Sequence, residues 1–201
     1  MKAFAFAALL GATTMGFAAP AMAADDGAAT TTIAQAAAAL APNRFVWADP
    51  QAMAVDPVTL PVTVVVSLPM QKAYVYRGET MVAAASVSTG KDGKDTPVGI
   101  FPILQKREVH HSNLYDSAPM PFMQRLTWDG VALHAGKNPG FPDSHGCIRL
   151  PAAFAKKLFS ITSVGTNVVV TDQMVGDHLD PMLLQTEASQ ANQAQLASLE
   201  R

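Results

Sequence analysis

L-H-A-G-K-N-P-G-F-P-D-S-H-G-C-I-R-L-P, residues 133–151, is the stretch around which the rest of the chain is organised. It holds the sole cysteine, Cys147, and two of the five histidines, His134 and His145. Its beginning continues an apolar run from Val131 to His134 that predicts a short strand. Its middle is a Gly- and Pro-rich loop. Its end is Pro151, followed by A-A-F-A-K-K-L-F-S. Proline in the first turn of a helix loses no needed hydrogen bond, and Phe154, Leu158 and Ile161 recur at helical spacing. A strand, a loop with the cysteine and a helix just after it are therefore expected.

Working outward, β signal dominates. Val62, Val64, Val66 and Leu68 alternate with Thr63, Val65 and Ser67, the period-two pattern of a strand with one strongly apolar face. Lys72 to Tyr76 and Thr80 to Thr89 are further β-rich runs separated by Arg77-Gly78-Glu79, which predicts a hairpin. Residues 89–99, T-G-K-D-G-K-D-T-P-V-G, form a glycine-rich polar loop. One strand is expected from Ile100 to about Arg107 and a late one over Asn167 to Thr171. The fold class is mainly β, with one short helix after the cysteine.

The ends read differently. Residues 1–23 have the form of a secretory signal: Lys2, an apolar run from Ala3 to Phe17, then Ala21-Met22-Ala23 as a small-x-small cleavage site. The run is too short and too alanine-rich for a membrane anchor, which needs about 20 strongly apolar residues. Residues 24–61 read as an Ala/Pro-rich linker and edge segment, with a marginal helix over Thr32 to Leu40. The domain follows at 62–172, and 173–201 is a polar tail, a weak helix or disordered. The formal net charge is −2, and loss of Lys2 with the leader makes it one unit more negative. No Lys/Arg run points to nucleic acid, and no basic amphipathic helix to a membrane surface.

A lone cysteine in an exported chain has no partner for an intramolecular disulfide. It is either buried and inert or a free reactive thiol, and its neighbours favour the second. A thiol nucleophile needs a base and donors for the oxyanion it creates. His134, at the strand end, is the favoured base, with His145 and Ser144 orienting the site. Gly146 allows a carbonyl to approach the backbone closely, and the amides near Gly146 and Cys147 are candidate oxyanion donors. A helix beginning near Pro151 would favour the thiolate, as would a protonated imidazole nearby. His110, His111 and Tyr115, with Met120 to Arg125, are either a lid or a solvated loop. Trp128 is expected in the core or the cleft wall, and Asp143 as a solvated acid.

S-H-G-C-I-R at 144–149, preceded by a histidine at a strand end, resembles the signature of the L,D-transpeptidase (YkuD/ErfK) family. The resemblance extends over about 62–172 and includes the T-G-K-D-G-K-D-T-P-V-G-I-F segment. It implies a β-sandwich in which Cys147 is the nucleophile and His134 moves the proton. His145, Gly146 and Ser144 would line the site, and Arg149 would steady the loop or a substrate carboxylate; by charge alone, Lys137 also suits a carboxylate-rich peptide. It further implies attack on the stem-peptide carbonyl of the position-3 diamino acid, release of D-Ala and transfer to an acceptor amine, without metal or organic cofactor. Peptidoglycan stem peptides are the expected partners, with a wall-attached protein as another acceptor, and carbapenems the expected inhibitors. One departure is Ala135, where many relatives have Gly or Ser, so an orienting contact there must come from the backbone.

Three rivals compete. A zinc site from Cys147, His134 and His145 lacks the closely spaced ligand pairs of structural zinc. A carboxypeptidase or amidase would use the same acyl-enzyme with water as acceptor. A non-catalytic wall-binding module is at odds with an intact His134 and Cys147.

Overall fold

The computed structural model describes residues 32–48 and 60–175. The leader at 1–23, the first part of the linker, residues 49–59 and the tail from 176 onward lie outside the described residues. No helix among those described is long and apolar enough to cross a membrane.

The chain is mostly β and forms two sheets. The larger has strands in the order β1 (Phe45–Trp47), β4 (Thr80–Ser86), β3 (Lys72–Arg77), β2 (Val62–Ser67), β10 (Asn167–Thr171) and β5 (Gly99–Pro102). The smaller runs β6 (Gln105–Arg107), β7 (Met123–Arg125), β8 (Ala132–Ala135) and β9 (Ile148–Leu150). The β3–β4 hairpin forms where Gly78 accepts a positive φ of 55°. The parallel β2–β10 pair aligns Val64, Val65 and Val66 with Val168, Val169 and Val170.

The main core lies between the sheets and joins Val64, Val66, Val168 and Val170 to Leu133, Ile148 and Leu150. Against it packs α2 (Ala152–Ile161), which buries Phe154, Ala155 and Leu158. Its last carbonyls are capped by Lys106, whose Nζ donates to Phe159 O and Thr162 O, both at 2.6 Å. A cation there also suits the helix dipole.

β2 departs from the one-faced pattern. Val65 joins Tyr74, Tyr76, Ala84 and Val169 in a second cluster on the sheet's other side. The cover comes partly from α1 (Ile33–Ala38), whose Ala37 is buried there. A six-residue helix is unstable alone, but this one is held at both ends. Thr32 and Gln35 form a reciprocal capping box, and Lys72 Nζ donates to Ala38 O at 2.7 Å. Residues read as linker and irregular edge therefore supply a helix on the sheet and a paired edge strand. From that edge strand, Phe45 and Trp47 set their rings 5.8 Å and 5.5 Å from Phe154.

The single strand expected at 100–107 is two. β5 ends at Pro102, which has no N–H for the ladder, and β6 begins in the other sheet. Between them Ile103 is fully buried, and Leu104 N–H bonds Arg125 O. A second correction lies beside the cysteine. β9 intervenes between Cys147 and α2, so the helix start stands about 13 Å along the chain from the cysteine. A helix dipole fades within its first turn and is not what tunes Cys147.

Candidate active site

β8 and β9 build the site through their alternation. The pair is parallel, with Leu133 opposite Ile148, His134 opposite Arg149 and Ala135 opposite Leu150. Leu133, Ile148 and Leu150 are fully buried in the core, so His134 and Arg149 face the other way. Cys147, two residues before Arg149, falls on their side. Strand spacing and rise put the His134 and Cys147 Cα atoms about 8 Å apart, within reach of an imidazole and a thiol. The next strand, β7, continues the pattern: Gln124 is turned inward and bonded by Thr162 Oγ1, while Met123 and Arg125 share the outer face with Cys147.

That face floors a cavity of about 550 Å³ whose lining includes His110, Tyr115, Arg125, His134, Cys147 and Arg149. Residues of the 110–120 loop, His110, Tyr115 and Met120 among them, line it as well, while His111 is exposed. Met123–Arg125, read together with that loop, is instead a strand of the floor. Trp128 is 73 % exposed on the rim, which excludes it from the core.

His134 is buried and its Nδ1–H donates to Ala135 O at 2.9 Å. A carbonyl only accepts, so the proton sits on Nδ1 and Nε2 carries the free lone pair. This is the backbone contact that Ala135 leaves as the only means of orientation. Burial, the main cause, and the charges of Arg149 and His110 lower the His134 pKa, against the Ala135 bond. The imidazole is neutral near pH 7 and able to accept a proton.

Cys147 packs against Met120, Met123 and Ala132. Its S–H donates to Gly130 O at 3.4 Å. Desolvation raises its pKa, while the Ala132 amide and the charges of Arg149 and Arg125 act in the opposite direction. Burial thus favours the neutral form of both groups, a thiol and an imidazole. Proton transfer has to accompany attack.

The signature loop is held rigidly. Ser144 touches the cavity wall, but its hydroxyl donates to Cys147 O at 2.5 Å and accepts the Gly146 N–H at 3.1 Å. The hydroxyl is thus committed to the turn that carries the cysteine. The same bond occupies the Gly146 amide, which removes it from the candidate oxyanion donors. Gly146 has φ +110°, a conformation L side chains rarely adopt, although a Cβ there would meet only ordinary contacts at 3.7 Å. Its carbonyl accepts from the Thr96 hydroxyl at 2.9 Å, and Thr96 Oγ1 in turn accepts the Gly90 N–H. Thr96 thus ties the 89–99 loop to the cysteine turn. Residues 143 and 144 both donate to Thr89 O, and Lys91 N–H bonds Ser144 O.

His145 is exposed and stacks on Tyr115, ring centres 4.5 Å apart and 20° from parallel. It joins the 110–120 loop to the signature loop, and His134 is left as the candidate base. Arg149 pairs with Asp143 at 3.1 Å, which gives that acid a structural partner and leaves Arg149 steadying the loop. Sequence reasoning did not single out Thr96 or Arg125. The polar 89–99 loop was a signal for the first, whereas the second depends on strand register. Among the described residues no group of three His, Cys, Asp or Glu converges as a metal site.

The L,D-transpeptidase catalytic-domain family (YkuD) matches residues 61–170. An L,D-transpeptidase from Mycobacterium smegmatis is 25% identical with TM-score 0.53, over 56% of this chain and 59% of that one. One from Stackebrandtia nassauensis is 26% identical with TM-score 0.53, over 62% and 64%. The L,D-transpeptidase LdtMt1, solved in complex with imipenem, is 25% identical with TM-score 0.51, over 56% and 59%. The match thus spans about three-fifths of those chains' length. No curated protein sequence matches the chain.

Proposed function

The chain belongs to the L,D-transpeptidase (YkuD) catalytic-domain family, and from that membership we propose that it is an exported peptidoglycan L,D-transpeptidase. The observation that carries the reading is the pair on β8 and β9: a thiol and an imidazole with free Nε2, on one face, opening into one cavity. His134 Nε2 takes the thiol proton as sulfur attacks the carbonyl of the position-3 diamino acid. The C–N bond to the terminal D-Ala breaks, and the imidazolium returns the proton to the departing amine. A thioester remains on Cys147 and stores the acyl group. An acceptor amine then gives its proton to His134 and displaces the sulfur, which recovers the thiol. Negative charge formed on sulfur and on the tetrahedral oxygen is countered by the cationic face, where Arg149 and Arg125 both favour the ionised thiol.

The acceptor is an amine of a second stem peptide or of a wall-attached protein, and the compartment is the periplasm or the cell wall. Carbapenems are proposed to acylate Cys147, in line with the imipenem complex of LdtMt1. Mass spectrometry of disaccharide-tetrapeptide incubated with the mature enzyme and with Cys147→Ala tests the reading. Dimers formed with loss of D-Ala, absent in the variant, are expected. Tripeptide without dimers would reassign the acyl-enzyme to hydrolysis, and unchanged substrate would refute the donor.

A further inference from the structure

The cavity contains one guanidinium whose charge no acid answers. Arg149, the obvious carboxylate ligand from its place in the signature, is paired with Asp143. Arg125 is not: its Nε–H donates to the neutral Gln105 Oε1 at 3.2 Å, and its guanidinium lies 5.9 Å from the Trp128 ring centre. It is half-buried, and no carboxylate pairs with it among the described residues. Its place is defined by register. Arg125 is the strand partner of Ala132, the residue whose amide bonds the Cys147 sulfur. Arg125 therefore lines the same cavity as Cys147, and its charge acts on the thiol from there.

We propose that Arg125 binds a carboxylate of the donor peptide close to the scissile bond, and is a specificity-determining residue for the reaction proposed above, on which this inference rests. A guanidinium offers a planar fork of donors that matches a carboxylate in two parallel bonds. A half-buried cation without a counter-ion loses hydration that an arriving carboxylate replaces. The remaining charged lining agrees, with Lys137 and Arg149 in the same cavity and Asp129 as its one carboxylate. Two carboxylates of a tetrapeptide stem have this chemistry: the C-terminal one of the leaving alanine and a side carboxylate upstream of the bond.

Three donors separate them: the free-acid tetrapeptide, its C-terminal amide, and the peptide amidated at the upstream carboxylate. Each is assayed with wild type, Arg125→Gln and Arg125→Lys. Wild type is expected to prefer the free acid over one of the two amides by about 10- to 100-fold in kcat/KM, mainly through KM. Arg125→Gln loses that preference, and Arg125→Lys, with charge but no fork, retains part of it. The amide that wild type discriminates against identifies the carboxylate. Removing the charge also makes the thiol harder to ionise, but that slows all three donors alike and leaves their ratio untouched. Unchanged discrimination in Arg125→Gln, or indifference of wild type to both amides, overturns the proposal while the transpeptidase reading stands. A wild type that consumes none of the donors overturns both.

Discussion

Replacing Gly140 by alanine tests whether the segment ahead of the family match is part of the catalytic unit. Gly140 lies in the loop between His134 and Cys147 and has φ +95°. A Cβ there would stand 2.5 Å from Pro42 Cγ and 2.9 Å from Pro42 Cβ, against about 3.5–4.0 Å for relaxed carbon contacts. The proline ring cannot swing aside as a flexible side chain would. The left-handed conformation costs alanine about 1–2 kcal/mol, and overpacking adds about 1–3 kcal/mol. A loss of about 2–5 kcal/mol is expected in urea unfolding, with reduced kcat because the strained loop carries the signature. Pro42→Gly removes the ring, so the double variant should recover the overlap component and keep the φ component. The two substitutions must therefore be non-additive by about 1–3 kcal/mol. A Gly140→Ala protein as stable as wild type, or strictly additive effects, would refute the contact and the buttressing role of residues 32–48.

The lowered His134 pKa places the acid limb of kcat/KM below the ordinary imidazole value of 6.5, and His134→Gln should lower kcat/KM by about 10²- to 10⁴-fold; an acid limb above 6.5 would contradict the buried neutral base. The same shift has a stability consequence: the unfolded chain binds the proton more readily, so stability is fully present above about 6.5 and declines as pH falls towards the folded value. His134→Gln should flatten part of that decline in thermal melts, with His110, shifted the same way, responsible for the remainder. Thr96→Val removes the hydroxyl joining Gly90 to Gly146; a destabilisation of about 1–3 kcal/mol with kcat falling more than KM rises is expected, and unchanged kcat would detach this bridge from catalysis. Phe154→Ala empties a fully buried site flanked by Phe45 and Trp47 and should cost about 3–5 kcal/mol in denaturant unfolding; a loss below 1 kcal/mol would mean that the edge strand does not complete the core.

Much of the fold was legible because its signals are local. β10 coincides with the expected Asn167–Thr171, since three consecutive valines carry a strong β preference. α2 begins after Pro151 because proline suits a first turn. The two histidines and the cysteine share one loop, so their proximity needed no knowledge of distant contacts. The rest depended on pairing. β6, β7 and β9 have three residues each, too few to display a period, and are strands only because a neighbour completes their ladder. The division of 100–107 between two sheets is a decision of the tertiary fold, which buries Ile103 at the crossover.

Within the site, residue type alone named a nucleophile and a base, because few side chains perform that chemistry. Their ionisation was another matter. Contact with Met120, Met123 and Ala132 keeps Cys147 protonated, and burial keeps His134 neutral. The surroundings of the two arginines were decided in the same way. Arg149 found Asp143 in its own loop, and Arg125 entered the lining of the same cavity only through β7–β8 register. Sequence by itself determined which groups can react, since that is covalent chemistry. Tertiary structure alone decided their charge and their partners, because both depend on desolvation and on distances between segments far apart in the chain.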